Sequence, residues 1–127
     1  MSPIYSFEVD PALSLVTCYM AGFFEPADVV KFAAARDLAH QQLRCEPNQH
    51  VTLIDIREMQ IQSQESVTAF EKVLHSPAHY SRRIAIVVTK SLAKMQVQRA
   101  ARDRPVQYFA DDVTAARLWL LEPPSQS

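Results

Sequence analysis

A single glycine, Gly22, occurs in 127 residues. Phosphate-cradling loops and dinucleotide fingerprints need several glycines, so that backbone amides can approach the ligand, and nucleotide enzymes of those types are excluded. Cysteine is almost as scarce. Cys18 and Cys45 are the only two; they fall in different expected elements and lack metal-ligand spacing, so reduced thiols are expected and a disulfide is not. Charge of one sign is also missing: thirteen basic and fourteen acidic side chains leave a net charge of -1. Bulk attraction to nucleic acid or to an anionic membrane is therefore absent. The longest uncharged apolar stretch, residues 12–24, is too short to span a bilayer and is interrupted by Ser14 and Thr17. Glu8 and Asp10 stand where a secretory signal would be basic and then apolar, so the expected location is the cytoplasm.

What is present is enough for one domain. With 48% hydrophobic residues, a chain of this length buries roughly two-thirds of its unfolded surface without disulfides or metal. The domain is expected over residues 1–122, with 123–127 as a frayed tail behind Pro123 and Pro124.

Apolar periodicity sets out the elements. Tyr5, Phe7 and Val9 alternate with polar residues, and Leu15, Thr17 and Tyr19 alternate with Val16, Cys18 and Met20, which reads as an antiparallel hairpin. Pro26 and Asp28 suit a first helical turn, and Val30, Ala34 and Leu38 predict the buried face of a helix running to about Leu43. Val51–Ile56 and Ile84–Val88 have the β-branched content of central strands covered on both faces. Between them Ser63 caps a helix carrying Val67, Phe70 and Leu74 inward. Ser91 caps the next, with Leu92, Met95, Val97 and Ala100 inward, and it stops near Arg104 before Pro105. A short strand at Val106–Phe109 follows. A final helix capped by Asp111 and Asp112 then buries Val113, Ala116 and Leu120 beside Trp119. The order ββαβαβαβα implies an α/β domain with a mixed, mostly parallel five-stranded sheet and helices packed on it.

This order resembles SpoIIAA-like STAS proteins. The resemblance is carried by the strand Thr52–Ile56, the following Gln60-Ile61-Gln62-Ser63-Gln64-Glu65, and the pair Arg83–Val88 to Ser91-Leu92-Ala93. It spans almost the whole chain and implies a fold shared in outline by anti-sigma-factor antagonists and CRAL-TRIO lipid carriers. In regulatory STAS proteins an aspartate ends the central strand, a place that Asp55 matches. An Asp-Ser pair then opens the next helix, its serine being the phosphorylation switch. Here Ser63 and Gln64 occupy that place, so the motif is broken. Ser63 serves as phosphoacceptor only if the register slips by one residue, and otherwise acts as a helix cap.

Ligands of open α/β sheets bind at the carboxyl ends of the strands. Here that edge collects Asp55, Arg57, Thr89, Lys90, Ser91 and Asp111, with Phe23 and Phe24 offering either a hydrophobic pocket or packing under the first helix. Glu25, Asp28, Glu58, Glu65 and Asp112 fall near this edge. Arg44, His75, His79, Arg82, Arg83, Arg102 and Arg104 fall near the opposite one, as complements of the helix dipoles or as a basic docking edge.

Asp55 and Thr89 hold places like the phosphorylated aspartate and switch threonine of receiver domains, but the paired acids and the lysine of that site are absent. Asp55 then reads as satisfying backbone donors at its loop. His75 and His79 are separated by Pro77, which breaks the geometry of a metal pair. Cys45 and His50 form a nominal nucleophile and base without an identifiable orienting group. Lys94, Gln98 and Arg102 make a polar stripe that reads as a solvated face.

The expected function is a non-enzymatic module that binds a protein partner or a small lipid-like or anionic ligand at this edge. No cofactor, metal, nucleic acid or membrane insertion is expected. The alternatives are a small enzyme around Asp55 or Cys45 and His50, and a homodimer built through the hydrophobic hairpin.

Overall fold

A computed structural model describes residues 3–76, 80–89, 92–102 and 106–123, with only the backbone of 92–94. Strand β1 (Ile4–Asp10) turns into β2 (Leu15–Gly22), followed by α1 (Pro26–His40), β3 (Val51–Met59), α2 (Gln64–Leu74), β4 (Arg83–Val88), α3 (Leu92–Ala100), β5 (Val106–Ala110) and α4 (Val113–Leu120). The sheet order is β1-β2-β3-β4-β5. Only β1 and β2 pair antiparallel; every later pairing is parallel. This is the mixed, mostly parallel α/β sheet that the pattern of elements predicts.

Two cores lie on opposite faces of the sheet. On one, Cys18, Met20, Ile56, Ile86 and Val88 meet α1, α2 and α3. On the other, Leu15, Leu53, Ala85 and Val87 meet Ala116 and Leu120 of α4, both fully buried. Strand β4 is buried at five successive positions because helices cover both sides. A buried aromatic group fills the first core: Phe24 packs edge-on to Phe70 at 5.3 Å, Phe32 edge-on to Tyr5 at 5.4 Å, and Phe7 lies 5.2 Å from Phe32. Such pairs add directional preference to the area they bury.

Helix α1 differs from the sequence expectation in its face and its end. Val30 and Leu38 are 70% and 65% exposed and Ala34 is exposed, while Val29, Phe32 and Ala39 are buried. Phe32 decides the orientation, since its ring has the largest area to bury and only the aromatic group accommodates it. Arg36 shares the inner face and donates from Nη1 to the Val73 carbonyl of α2 at 2.7 Å. The helix closes at His40, short of Leu43, in a turn at Gln41 and Gln42.

In α3, Met95 is 63% exposed, and the inward side is carried by Ala100 and half-buried Val97. The side chains of Leu92 and Lys94, together with His79, Lys90, Ser91, Arg104 and residues 124–127 of the expected tail, lie outside the described residues.

Helix α4 is held at both ends. Asp112 accepts from the Ala115 amide at 2.8 Å. Arg83 donates to the Trp119 carbonyl at 2.9 Å and lies 5.2 Å from that indole ring. Among the described residues, no helix is long and apolar enough to cross a membrane.

The rotation of α1 has a direct consequence for stability. Phe32→Ala is expected to cost about 3–5 kcal/mol in urea unfolding at low micromolar protein, and Leu38→Ala to stay within about 0.5 kcal/mol. Similar losses at the two positions would place Leu38 in the core.

Candidate binding site at the C-terminal edge of the sheet

The carboxyl ends of β2 to β5 converge on one edge, and β3 presents different chemistry on its two faces there. Val51 and Leu53 face α4, and Asp55 continues that face by the two-residue period of a strand. Asp55 to Glu58 is three steps on β3 where β2 takes two, from Tyr19 to Ala21. This extra residue is a β-bulge, a device that re-aims a side chain near a strand end.

The Arg57 guanidinium folds back onto the Asp55 carboxylate, with Nε to Oδ1 at 3.0 Å and Nη2 to Oδ2 at 2.8 Å, and the Arg57 amide also reaches Oδ1 at 3.2 Å. Burial by itself would raise the Asp55 carboxyl, but the side-chain and backbone hydrogen bonds from Arg57 and its positive charge outweigh it and hold the group below its ordinary value. The Arg57 guanidinium is held above its own ordinary value, chiefly by its hydrogen bonds to Asp55. Asp55 therefore satisfies one backbone donor, as expected of a structural aspartate, and also holds an arginine in place.

On the other face of the sheet, Ile54 and Ile56 of β3, Val67 and Phe70 of α2, and Val97 and Ala100 of α3 surround a cavity of about 70 Å³. Exposed Gln60, with Gln62 and Gln96, borders it at the edge. Gln62 is 7% exposed and fully engaged. Its Oε1 accepts from the Phe24 amide at 2.7 Å, and its Nε2 donates to the Gly22 carbonyl at 3.0 Å and to the Gln60 carbonyl. Its backbone exchanges two further bonds with the Gln96 carboxamide, at 2.7 and 2.6 Å. Gly22, at φ 85°, makes the turn out of β2 in a region that favours glycine.

Ser63 caps α2. Its Oγ accepts from the Ser66 amide at 3.2 Å and donates to the Ser66 hydroxyl, which in turn donates to the Phe24 carbonyl at 2.6 Å. Gln62, Gln96 and Ser66 carry this junction, and nothing in the sequence distinguishes them from any surface glutamine or serine.

The remaining sequence candidates divide by position. Phe24 is fully buried in the aromatic group and Phe23 is half-buried in the connection to α1, so core packing is the role the structure gives Phe24. Thr89 follows β4 half-buried at the same edge, as Asp111 follows β5 with its amide on the Val88 carbonyl at 2.9 Å.

At the opposite edge Cys45 and His50 border one open cleft of about 410 Å³. The His50 imidazole, 3% exposed, is turned toward Ser81, with Nε2 and Oγ 3.0 Å apart, and lies edge-on to His40 at 4.5 Å. The Ser81 hydroxyl meets the Thr52 hydroxyl at 2.6 Å. Burial first, then the Asp55 charge, push the Cys18 thiol up, so it stays protonated and unreactive. Among the described residues, no group of three or more histidine, cysteine, aspartate or glutamate side chains is placed to hold a metal.

No family model matches the sequence, and no curated protein matches it. Among solved structures it is similar to an uncharacterized protein of the DUF3478 family, with a SpoIIAA-like fold, from Shewanella loihica PV-4. The match covers 94% of this chain and 96% of that chain, with a TM-score of 0.66 at 17% identity. The likeness shows the fold: a mixed α/β domain of SpoIIAA-like type, as the resemblance in the sequence implies.

Two outcomes test the geometry of the edge. A group whose folded pKa is depressed stabilises above its unfolded value and loses that contribution as pH falls through the folded one. Unfolding free energies of the parent and Asp55→Asn are therefore expected to run parallel above the ordinary carboxylate value of 3.8 and to converge below it. Curves that stay parallel throughout would show that the ion pair contributes nothing. Gln62→Leu strands the buried Phe24 amide, while the Gly22 carbonyl keeps the Gln60 amide, so a loss of about 1–3 kcal/mol is expected, measured by urea unfolding.

Proposed function

We propose that the chain is a non-enzymatic recognition module that docks a partner protein at the C-terminal edge of its sheet, taking one apolar anchor side chain of that partner into the cavity between β3, α2 and α3. The observation that carries this reading is the cavity's size and lining. Small-molecule sites commonly enclose about 300–1,000 Å³, so 70 Å³ has room for one side chain or a short alkyl group. Anchor residues in desolvated pockets dominate many protein interfaces. Arg57, Glu58 and Asp111 stand around the edge as its polar rim, and Asp55 holds the arginine in one orientation there. A SpoIIAA-like fold supports a regulatory or binding role by analogy alone, since a fold hosts many functions.

A second reading is favoured by the place of Ser63. Its hydroxyl stands at the start of α2, directly after the cavity-lining Gln62, where the helix dipole would favour a phosphate. In this reading phosphorylation breaks the hydroxyl's bond to Ser66 and alters the hold on the Phe24 carbonyl, so that partner binding becomes switchable.

Amide NMR with indole and with alkyl carboxylates of increasing length tests the anchor reading. Indole is expected to shift Ile54, Ile56, Val97 and Ala100, and Ala100→Leu, which fills the space, to abolish those shifts while the fold is retained. Affinity that keeps rising with chain length beyond about four carbons would instead assign the cavity to a lipid-like ligand. Absence of any indole-dependent shift would remove the anchor reading.

A further inference from the structure

A second cavity, of about 50 Å³, lies on the same face of the sheet as the first, at the end where β2, β3 and β4 begin. The two cavities share Phe32, Ile54, Val73 and Leu74 as a common wall. The lining of the second is divided in character. Phe7, Val16 and Ile84 offer apolar surface, whereas Arg36, His40, Thr52 and Ser81 bring polar atoms. Among the described residues no carboxylate lines it, and the one fixed charge on its wall is the Arg36 guanidinium.

The Arg36 side chain is only 13% exposed, and a charge so far from water is costly unless its donors are met. Nε and Nη2 both reach Asp37 Oδ1, at 3.3 and 3.2 Å, and Nη1 reaches the Val73 carbonyl at 2.7 Å. A guanidinium carries five N–H donors. These bonds use three of them, and the other two, one on each Nη, have no acceptor among the described residues. Donors on adjacent nitrogens of one plane are what a carboxylate fits.

Two nearby features weigh against an anion, and neither is decisive. Helices α1 and α2 end at His40 and Leu74, both on the cavity wall. A helix end carries about half a charge against the whole charge of the guanidinium, and Arg36 already takes up the Val73 carbonyl. Asp37 pairs with the same guanidinium, but it is 49% exposed and borders the open cleft of about 410 Å³ instead of this cavity. His40 borders both, so an imidazole stands between the cavity and a route to solvent.

From these positions we propose that the second cavity is a binding site for a short-chain monocarboxylate, which enters from the cleft past His40. Its carboxylate takes the two remaining Arg36 donors, and its alkyl tail lies against Phe7, Val16 and Ile84. A water occupies about 30 Å³ of liquid, so the space exceeds one water and suits a chain of about two to four carbons. The apolar part of the wall disfavours a strongly hydrated inorganic anion. The site is separate from the C-terminal edge and does not depend on what docks there.

Amide NMR of the full chain with sodium butyrate at fixed ionic strength is expected to shift Thr52, Ser81 and Ile84, saturating at about 1–10 mM, ordinary for so few atoms. Butyramide, close in shape but uncharged, is expected to bind at least about tenfold more weakly. Arg36→Lys keeps the charge and loses the fork, and is expected to weaken butyrate about tenfold with an unchanged circular dichroism spectrum. Val16→Leu, which fills the space, is expected to abolish the shifts. The comparison of butyrate with butyramide on the parent chain does not depend on either variant folding. Equal affinity for the two overturns the proposal, as do saturable shifts of the same residues with inorganic phosphate. So does the absence of butyrate-dependent shifts at Thr52, Ser81 and Ile84, or their confinement to Val97 and Ala100. In Ala100→Leu, which closes the edge cavity, the butyrate shifts at Thr52 and Ser81 are expected to remain, so the two sites fail separately.

Discussion

The Gln62 carboxamide is the interaction on which the C-terminal edge depends. The chain leaving β2 buries the Phe24 amide and carbonyl beyond the reach of the strand ladder, and leaving them unpaired costs more than an ordinary hydrogen bond returns. One side chain resolves this. It accepts from the amide of Phe24, donates to the carbonyls of Gly22 and Gln60, and through its backbone engages Gln96 of α3. Ser66 supplies the complementary bond to the Phe24 carbonyl. The entry to α1, the start of α2 and the middle of α3 are thereby joined at one point, and the cavity lies directly beneath it.

Strand alternation lets β3 offer separate chemistries on its two faces. Alternation along β3 sets Arg57 on the face of the Asp55 carboxylate, while Ile54 and Ile56 lie on the face of the aromatic core. The charged pair and the apolar cavity are thus neighbours along the edge yet divided by the thickness of the sheet. Charge stays where water can reach it, with the Arg57 side chain 35% exposed, and the cavity on the other face is lined mainly by apolar side chains. A recognition surface made this way separates an anchoring contact from an orienting one.

The parts of this arrangement legible in the sequence are those governed by short-range pattern. Alternation in Tyr5–Val9, the β-branched run of Ile84–Val88, Pro26 in a first turn, and the caps Ser63 and Asp112 all follow from local sterics and hydrogen bonding, and each stands where expected. Asp55 was expected to end its strand, but β3 runs on to Met59, so the aspartate stands within it and Arg57, two residues on, shares its face and pairs with it. Gln62 carried no local sign of its role, since a glutamine in a connecting loop is ordinarily solvated. Helix α1 was legible as a helix and not in its orientation: apolar residues occupy both sides, so periodicity admits two buried faces.

By itself the sequence determined the number, kind and order of elements, the parallel sheet that their alternation requires, and the absence of glycine-dependent nucleotide sites. These follow from backbone propensity and from side-chain period, which act within a few residues. Tertiary structure alone decided which face of α1 meets the core, which glutamine closes the edge, and that Phe24 is interior while Val30 and Leu38 face outward. Those outcomes depend on competition among side chains distant in the chain for one limited volume, and the largest ring that fits, Phe32 among its aromatic neighbours, wins it.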